Sequence, residues 1–231
     1  MKKALFVGAT SLALVAGTIS TAQAAPRPVD ITGYSVKDVV FDRAGCQRVP
    51  VKVKARIDKT VDRESLSAIV ELARGKYIYT DEGYAFTDGS SGEALICDDD
   101  GYGKIKVGPA EVDGMLKNSE DEFYSKDKTT SSFHVRVKAK AALNAKRSGS
   151  KVVLTASASR FNEHTDAYKA YSPKKAKIQV KSGTKWKTVK TVDLKKGKAT
   201  YTVKRKSKAS YRLTFDQVTW ATGATSKSVK K

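Results

Sequence analysis

Hydrophobic and polar residues alternate with a period of two along most of this chain. Between residues 174 and 216, Ala176, Ile178 and Val180 alternate with Lys177, Gln179 and Lys181. Tyr201 and Val203 alternate with Thr200, Thr202 and Lys204, and Tyr211, Leu213 and Phe215 alternate with Arg212, Thr214 and Asp216. This period puts the two sets of side chains on opposite faces of a strand. Turn residues such as Gly183 and Gly197 interrupt the runs, at intervals of roughly 8–12 residues, as in antiparallel sandwiches.

The N-terminal half shows the same pattern less regularly. Val49, Val51, Val53, Ala55 and Ile57 share one face, and Lys52, Lys54 and Arg56 the other. Phe133, Val135 and Val137 alternate with His134, Arg136 and Lys138. Shorter candidate strands lie near 34–41, 76–79, 84–86, 93–97, 104–107, 152–158 and 225–229. Residues 64–74 fit two templates. Leu66, Ile69, Val70 and Ala73 make a helical stripe, whereas Leu66, Ala68, Val70 and Leu72 make a strand face; strand neighbours on both sides favour strand. Residues 108–130 are polar and weakly patterned and predict a long connection. Residues 161–173 predict a loop. The fold class is therefore all-β, with two antiparallel β-sandwich domains.

The first residues carry a different signal. Lys2 and Lys3 precede an apolar run from Ala4 to Val15, and Ala22-Gln23-Ala24 fits the small-x-small cleavage rule. Residues 1–24 are expected to be a signal peptide that is removed, which predicts a secreted or extracellular protein with no membrane span in the mature chain. Retention at a cell wall would then be non-covalent. In that setting Cys46 and Cys97, the chain's two cysteines, read first as a disulfide and second as unrelated thiols.

Charge divides the chain. Residues 25–146 hold 20 Lys and Arg against 20 Asp and Glu, whereas residues 147–231 hold 22 against 4. Composition changes around Lys146-Arg147-Ser148-Gly149-Ser150, so 144–150 is the expected linker. It separates a neutral domain at 25–143 from a basic one at 151–231.

The second unit resembles the Ig-like domains common in secreted proteins of actinobacteria. The residues that carry the resemblance are Val152 to Ala156, Tyr168 to Tyr171, Ala176 to Val180, Trp186 to Val189, Gly197, and Tyr211 to Phe215. Leu213 occupies the place where antibody-type domains have a cysteine. The resemblance covers about a third of the chain. It implies a fold and an extracellular setting but no activity.

Candidate chemistry is sparse. The chain has no Gly-x-Ser-x-Gly elbow and no His-Glu-x-x-His helix. His134 falls on a polar strand face, and His164 lies beside Glu163 and Asp166. Asp98, Asp99 and Asp100 with Gly101 are the one metal-like stretch, read either as an acidic turn beside Cys97 or as a weak calcium site. An EF-hand register fails there, because Ile96 and Val107 fall on ligand positions. Glu120-Asp121-Glu122 reads as a solvated acidic loop.

The strongest functional pattern is basic. Lys177, Lys181, Lys185 and Lys187 are expected on one side of adjoining strands. Lys195, Lys196 and Lys198 form one turn cluster, and Lys204, Arg205, Lys206 and Lys208 another. Clustered lysine suits loose contact with polyanions. The expected partner is an anionic wall or surface polymer, and no cofactor is expected. Nucleic acid suits this pattern less well, since Tyr201 and Tyr211 point inward and leave few bases a stacking partner. The plain alternative is solubility and edge protection. The expected protein is thus a non-enzymatic, surface-associated binder. The alternatives are a small secreted enzyme or enzyme inhibitor using 108–130, and a calcium-binding protein using Asp98 to Asp100.

Overall fold

A computed structural model describes residues 27–74, 77–80, 84–85 and 91–231. The expected signal peptide lies outside these residues, as do parts of the expected strands at 76–79 and 84–86. The described chain is all-β, with no α-helix. In order, the strands are β1 (Val29–Ser35), β2 (Val39–Phe41), β3 (Cys46–Ile57), β4 (Ser67–Arg74), β5 (Tyr77–Thr80), β6 (Tyr84–Ala85), β7 (Ser91–Cys97), β8 (Gly103–Met115), β9 (Glu122–Asp127) and β10 (Ser131–Val137). Then follow β11 (Ala139–Ser148), β12 (Lys151–Asn162), β13 (Ala167–Ala170), β14 (Ala176–Ser182), β15 (Lys185–Val192), β16 (Lys198–Lys204), β17 (Ser210–Phe215), β18 (Ala224–Thr225) and β19 (Val229–Lys230).

These strands form four sheets. Sheet I is β1-β3-β7, and sheet II is β2-β10-β8-β4-β5 with β6 on β4 and β9 on β8. Sheet III is β11-β12-β13 with β16 also on β12, and sheet IV is β15-β14-β17-β18 with β19 also on β17. Among the described residues, the strands of sheets I and II all precede Lys138 and those of sheets III and IV all follow it, with a single parallel bridge, Val137↔Ala221, across the divide; we call the two parts the first and second units.

Alternation explains which faces are buried. Val49, Val51, Val53 and Ala55 of β3 are buried, and Lys52, Lys54 and Arg56 between them are exposed. In β4 the buried residues are Ala68, Val70 and Leu72, while Ile69 is 38% exposed. Residues 67–74 therefore follow the strand template, and the helical stripe would have buried Ile69. Val152, Leu154 and Ala156 of β12 are fully buried, as are Ile178, Tyr211 and Leu213 in sheet IV. Burying a side chain of this size stabilises by roughly 1.5–3 kcal/mol.

Three expectations are corrected. Residues 144–150 are not a linker: 144–148 finish β11, which pairs with β12 from Ala139↔Arg160 to Ser148↔Lys151. Gly149, with φ of 57°, makes the tight turn. The Ser-Gly-Ser sequence marks a hairpin, because a turn and a linker favour the same small polar residues. Arg147 is also anchored there, donating from Nη1 to the Arg205 carbonyl at 2.7 Å and from Nη2 to the Ser207 and Lys231 carbonyls, both at 3.0 Å. Residues 108–130 are not a long connection either. They hold most of the β8–β9 hairpin, registered from Ala110↔Asp127 to Met115↔Glu122. Its outward side is charged, which hides the alternation of Ala110, Val112 and Gly114. Third, much of the expected loop 161–173 is the end of β12 and all of β13.

The passage between the units is short and hydrogen-bonded. Val137 N–H donates to the Trp220 carbonyl at 3.0 Å, Lys138 N–H to Phe41 at 2.8 Å, and Ala139 N–H to Thr222 Oγ1 at 2.9 Å. Arg136, buried, donates from Nε to the Val218 carbonyl at 3.0 Å and pairs through Nη1 with Asp38. With this boundary, residues 139–231 hold 24 Lys and Arg against 4 Asp and Glu, a net of +20.

Candidate functional site

Register, more than sequence parity, decides which lysines share a surface. In an antiparallel pair, directly opposed residues point to the same face. Lys140 opposes Ser159, Lys146 opposes Val153, and Lys151 opposes Ser148. From the other side, Lys198 opposes Ser157 and Lys204 opposes Lys151. All of these lie on the face of β12 opposite Val152, Leu154 and Ala156. The outer face of sheet III thus carries Lys140, Lys146, Lys151, Lys198 and Lys204, set among Asn144, Thr155, Ser157, Ser159, Thr200 and Thr202. No acidic side chain lies on it, and none of these lysines forms an ion pair among the described residues.

The arrangement opposes like charges directly. Lys151 faces Lys204 in the ladder, and Lys195 faces Lys198 across a two-residue turn. Such pairs are destabilising in a sheet. The turn is made by Lys196 and Gly197, with φ of 48° and 75°. A Cβ at Gly197 would lie 2.7 Å from the Ala158 carbonyl oxygen, so the turn packs directly on β12. Together these residues shape a shallow cleft. Ser157, Ser159, Ala142, Ala170 and Gly197 line it together with Lys140, Lys196 and Lys198. The Lys140 ammonium lies 3.3 Å from the Tyr168 ring centroid, an arrangement that favours the cation. At the other end of the face, the exposed loop of Arg205, Lys206 and Lys208 is tied to the hairpin by a 2.7 Å bond from Arg205 N–H to the Ser150 carbonyl. Lys198 and Lys204 stand about 20 Å apart, at a strand rise of about 3.4 Å per residue.

The remaining basic residues do not join this face. Lys177 and Lys181 project from the outer face of sheet IV, where Lys177 is paired with Asp216 at 3.1 Å. Lys185 opposes Ser182 and Lys187 opposes Val180, so both take the opposite face of that sheet. They are exposed on β15, an edge strand. The expectation that Lys177, Lys181, Lys185 and Lys187 share one side is therefore wrong. The Gly183-Thr184 turn has two residues, so odd numbers before it oppose even numbers after it.

That exchange brings Trp186, which the lysine pattern passed over, onto the outer face beside Lys181. Arg212 opposes Gln179 on the same face, and its Cζ lies 4.3 Å from the Trp186 ring centroid. Combining alternation with turn length would have found it.

Cys46 and Cys97 are joined by a disulfide and oppose each other in register. The adjacent acids serve that turn. Asp100 Oδ2 accepts the Cys97 N–H at 2.7 Å, and the Asp100 carbonyl accepts from Arg74. Asp98 is buried, and Cys97 sulfur, committed to the disulfide, is not a thiolate ligand. Asp99 and Asp100 lie in this acidic turn, their carboxylate oxygens within 4.8 Å of each other and of the Cys97 sulfur. His134 Nδ1 lies 3.7 Å from Asp38, while exposed His164 lies 3.7 Å from Glu163. Ser65, at a cleft beside the β8–β9 hairpin, donates to the Asp62 carbonyl at 2.9 Å and accepts the Met115 N–H at 2.8 Å. Its hydroxyl is engaged in holding that hairpin. Among the described residues, no helix is long and apolar enough to cross a membrane.

No family model matches the chain, and no curated protein matches it.

Proposed function

We propose that this is an exported, non-enzymatic protein whose second, Ig-like unit binds anionic polymers of a cell wall or surface through the outer face of sheet III. The observation that carries this reading is the register that sets five lysines on one acid-free face, with Lys151 directly against Lys204. A face serving only solubility gains nothing from opposed like charges, whereas a bound polyanion relieves their repulsion. The roughly 20 Å between Lys198 and Lys204 suits a linear chain lying along β16. Ser and Thr hydroxyls between the lysines can bond to phosphate or carboxylate oxygens. Nucleic acid fits less well, because Tyr168, the aromatic ring at this face, is already covered by the Lys140 ammonium and is a poor platform for bases to stack upon. The Cys46–Cys97 disulfide is compatible with an oxidising compartment.

The test is retention of the full chain on purified cell walls and on a polyanion column, at low and high salt. One variant carries Gln at Lys146, Lys151, Lys198 and Lys204; a control carries Gln at Lys185 and Lys187. A lysine near an anionic surface contributes ~1 kcal/mol, or about fivefold in affinity. The fourfold variant should elute far earlier than the control, and the difference should shrink as salt shortens the screening length below about 8 Å. Equal elution of the two variants rules the lysine face out.

A further inference from the structure

The outer face of sheet IV holds an arrangement of another kind, and we infer that Arg212, Gln179 and Trp186 form a site for a carboxylated pyranose. This goes beyond the polyanion reading and does not rest on it, since the two surfaces belong to different sheets.

Arg212 is fixed from two directions. Its guanidinium stacks on the Trp186 ring at 4.3 Å, and its Nε donates to Gln179 Oε1 at 2.8 Å. All three side chains are half-buried. A guanidinium so held has already given up much of the side-chain freedom that binding would cost. Bonding at Nε and stacking through the plane leave the in-plane terminal nitrogens as the outward fork. That fork matches a planar carboxylate through two parallel bonds. No ion pair among the described residues involves Arg212. The cation below it, Lys177, is paired with Asp216 instead.

The surroundings select for more than charge. Gln179 uses its oxygen on Arg212, so its amide N–H groups remain as donors that can meet sugar hydroxyls. Trp186 supplies flat apolar surface for the C–H face of a ring, and Lys181 opposes it as an exposed second cation. An ordered fork, an amide and an indole within one patch distinguish a uronic acid from both a neutral sugar and a simple phosphate. The lysine face of sheet III has neither an ordered cation fork nor an indole.

The full chain has two tryptophans, so Trp220→Phe leaves Trp186 as the only indole reporter. In that background, fluorescence is titrated with sodium glucuronate, glucose and inorganic phosphate at high salt. The expected result is a saturable change with glucuronate, with glucose and phosphate at least tenfold weaker. Arg212→Lys keeps the charge but loses the fork, and should weaken glucuronate about tenfold, the effect of one charge-assisted bond. Gln179→Glu places a carboxylate against Arg212 within the sheet and should weaken binding at least as much without loss of thermal stability. The fourfold lysine variant of sheet III should bind glucuronate unchanged. No saturable change, equal response to phosphate, or wild-type affinity in Gln179→Glu would each overturn the assignment, whatever the walls retain.

Discussion

The two units bury their cores by the same alternation yet treat charge in opposite ways. In the first unit, cations and anions are interspersed and meet across strands. Arg48 pairs with Glu93 at 3.3 Å, Lys126 with Glu111 at 3.1 Å, and Arg136 with Asp38. In the second unit 24 basic residues face 4 acidic ones, and Lys177–Asp216 is the Lys or Arg ion pair among its described residues. Since both units fold as sheets with apolar inner faces, the fold does not require the excess. Net charge is an argument about partners and solubility, not about architecture. A further contrast is covalent: the first unit has the disulfide, and the second closes its ends with Arg147 and its carbonyl partners.

The largest way to break the comparison is to reduce that disulfide. Cys46 and Cys97 are 51 residues apart in sequence, and closing a loop of that length stabilises by about 4 kcal/mol in the chain-entropy model. Reduction, or Cys46→Ser with Cys97→Ser, should lower the first unit's stability by that order and spare the second. Both tryptophans lie in the second unit, but Trp220 joins the junction, so indole fluorescence is read in a Trp220→Phe background, where Trp186 alone reports on the second unit. Far-ultraviolet circular dichroism should show an early transition under reductant while the fluorescence midpoint holds. An equal shift of both signals would mean that the units unfold as one body.

The next effect tests the junction. Partial burial pushes the Asp38 carboxyl up, but the Arg136 guanidinium, the His134 N–H and their charges outweigh it and hold the group below its usual value. A carboxyl lowered in the folded state stabilises fully above its unfolded value of about 3.9. That stabilisation is lost as pH falls through the lowered folded value. The junction should therefore be intact at neutral pH and loosen below about pH 4. Asp38→Asn should cost about 1–2 kcal/mol at pH 7, a discounted figure because the Asp38 side chain is 47% exposed. It should also flatten the acid limb of the stability profile. Urea unfolding across pH measures both, and an unchanged midpoint at pH 7 would remove Asp38 from the junction.

Strand existence and inward faces were legible in the sequence because burial imposes a period of two. Val49 to Ala55, Leu66 to Leu72 and Ile178 to Val180 all follow it. Connections were less legible. The 144–150 stretch has the composition of a linker, but its pairing partner, β12, follows in sequence and reveals a hairpin only when the two strands are aligned. The 108–130 stretch hid strands behind charged outward residues such as Glu111, Asp113 and Lys126. The basic site was half visible. Lysine clusters stand out by composition, but their assignment to faces depends on turn length. Lys140 and Lys146 were missed because they precede the charge step, and Trp186 because parity was carried across a two-residue turn.

The smallest expected effect sharpens the comparison most. If the acid-free face is kept for a partner, it is kept against stability, and one acid should improve the fold. Lys204 is exposed and directly opposes Lys151 in the β12–β16 ladder. Lys204→Glu turns a like-charge pair into an opposite-charge pair of the kind already present at Lys126–Glu111. Cross-strand pairs of opposite charge contribute roughly 0.2–1 kcal/mol, and removing the repulsion adds to this. The variant should therefore unfold at slightly higher urea than the parent at low salt, with the gain fading as salt rises. The same variant should bind polyanions more weakly than Lys204→Gln, because it reverses a charge instead of removing it. Gain in stability together with loss of binding is the signature of a surface held in place by its ligand. A loss of both would show that Lys204 supports the sheet itself, and the contrast between the two units would then be structural.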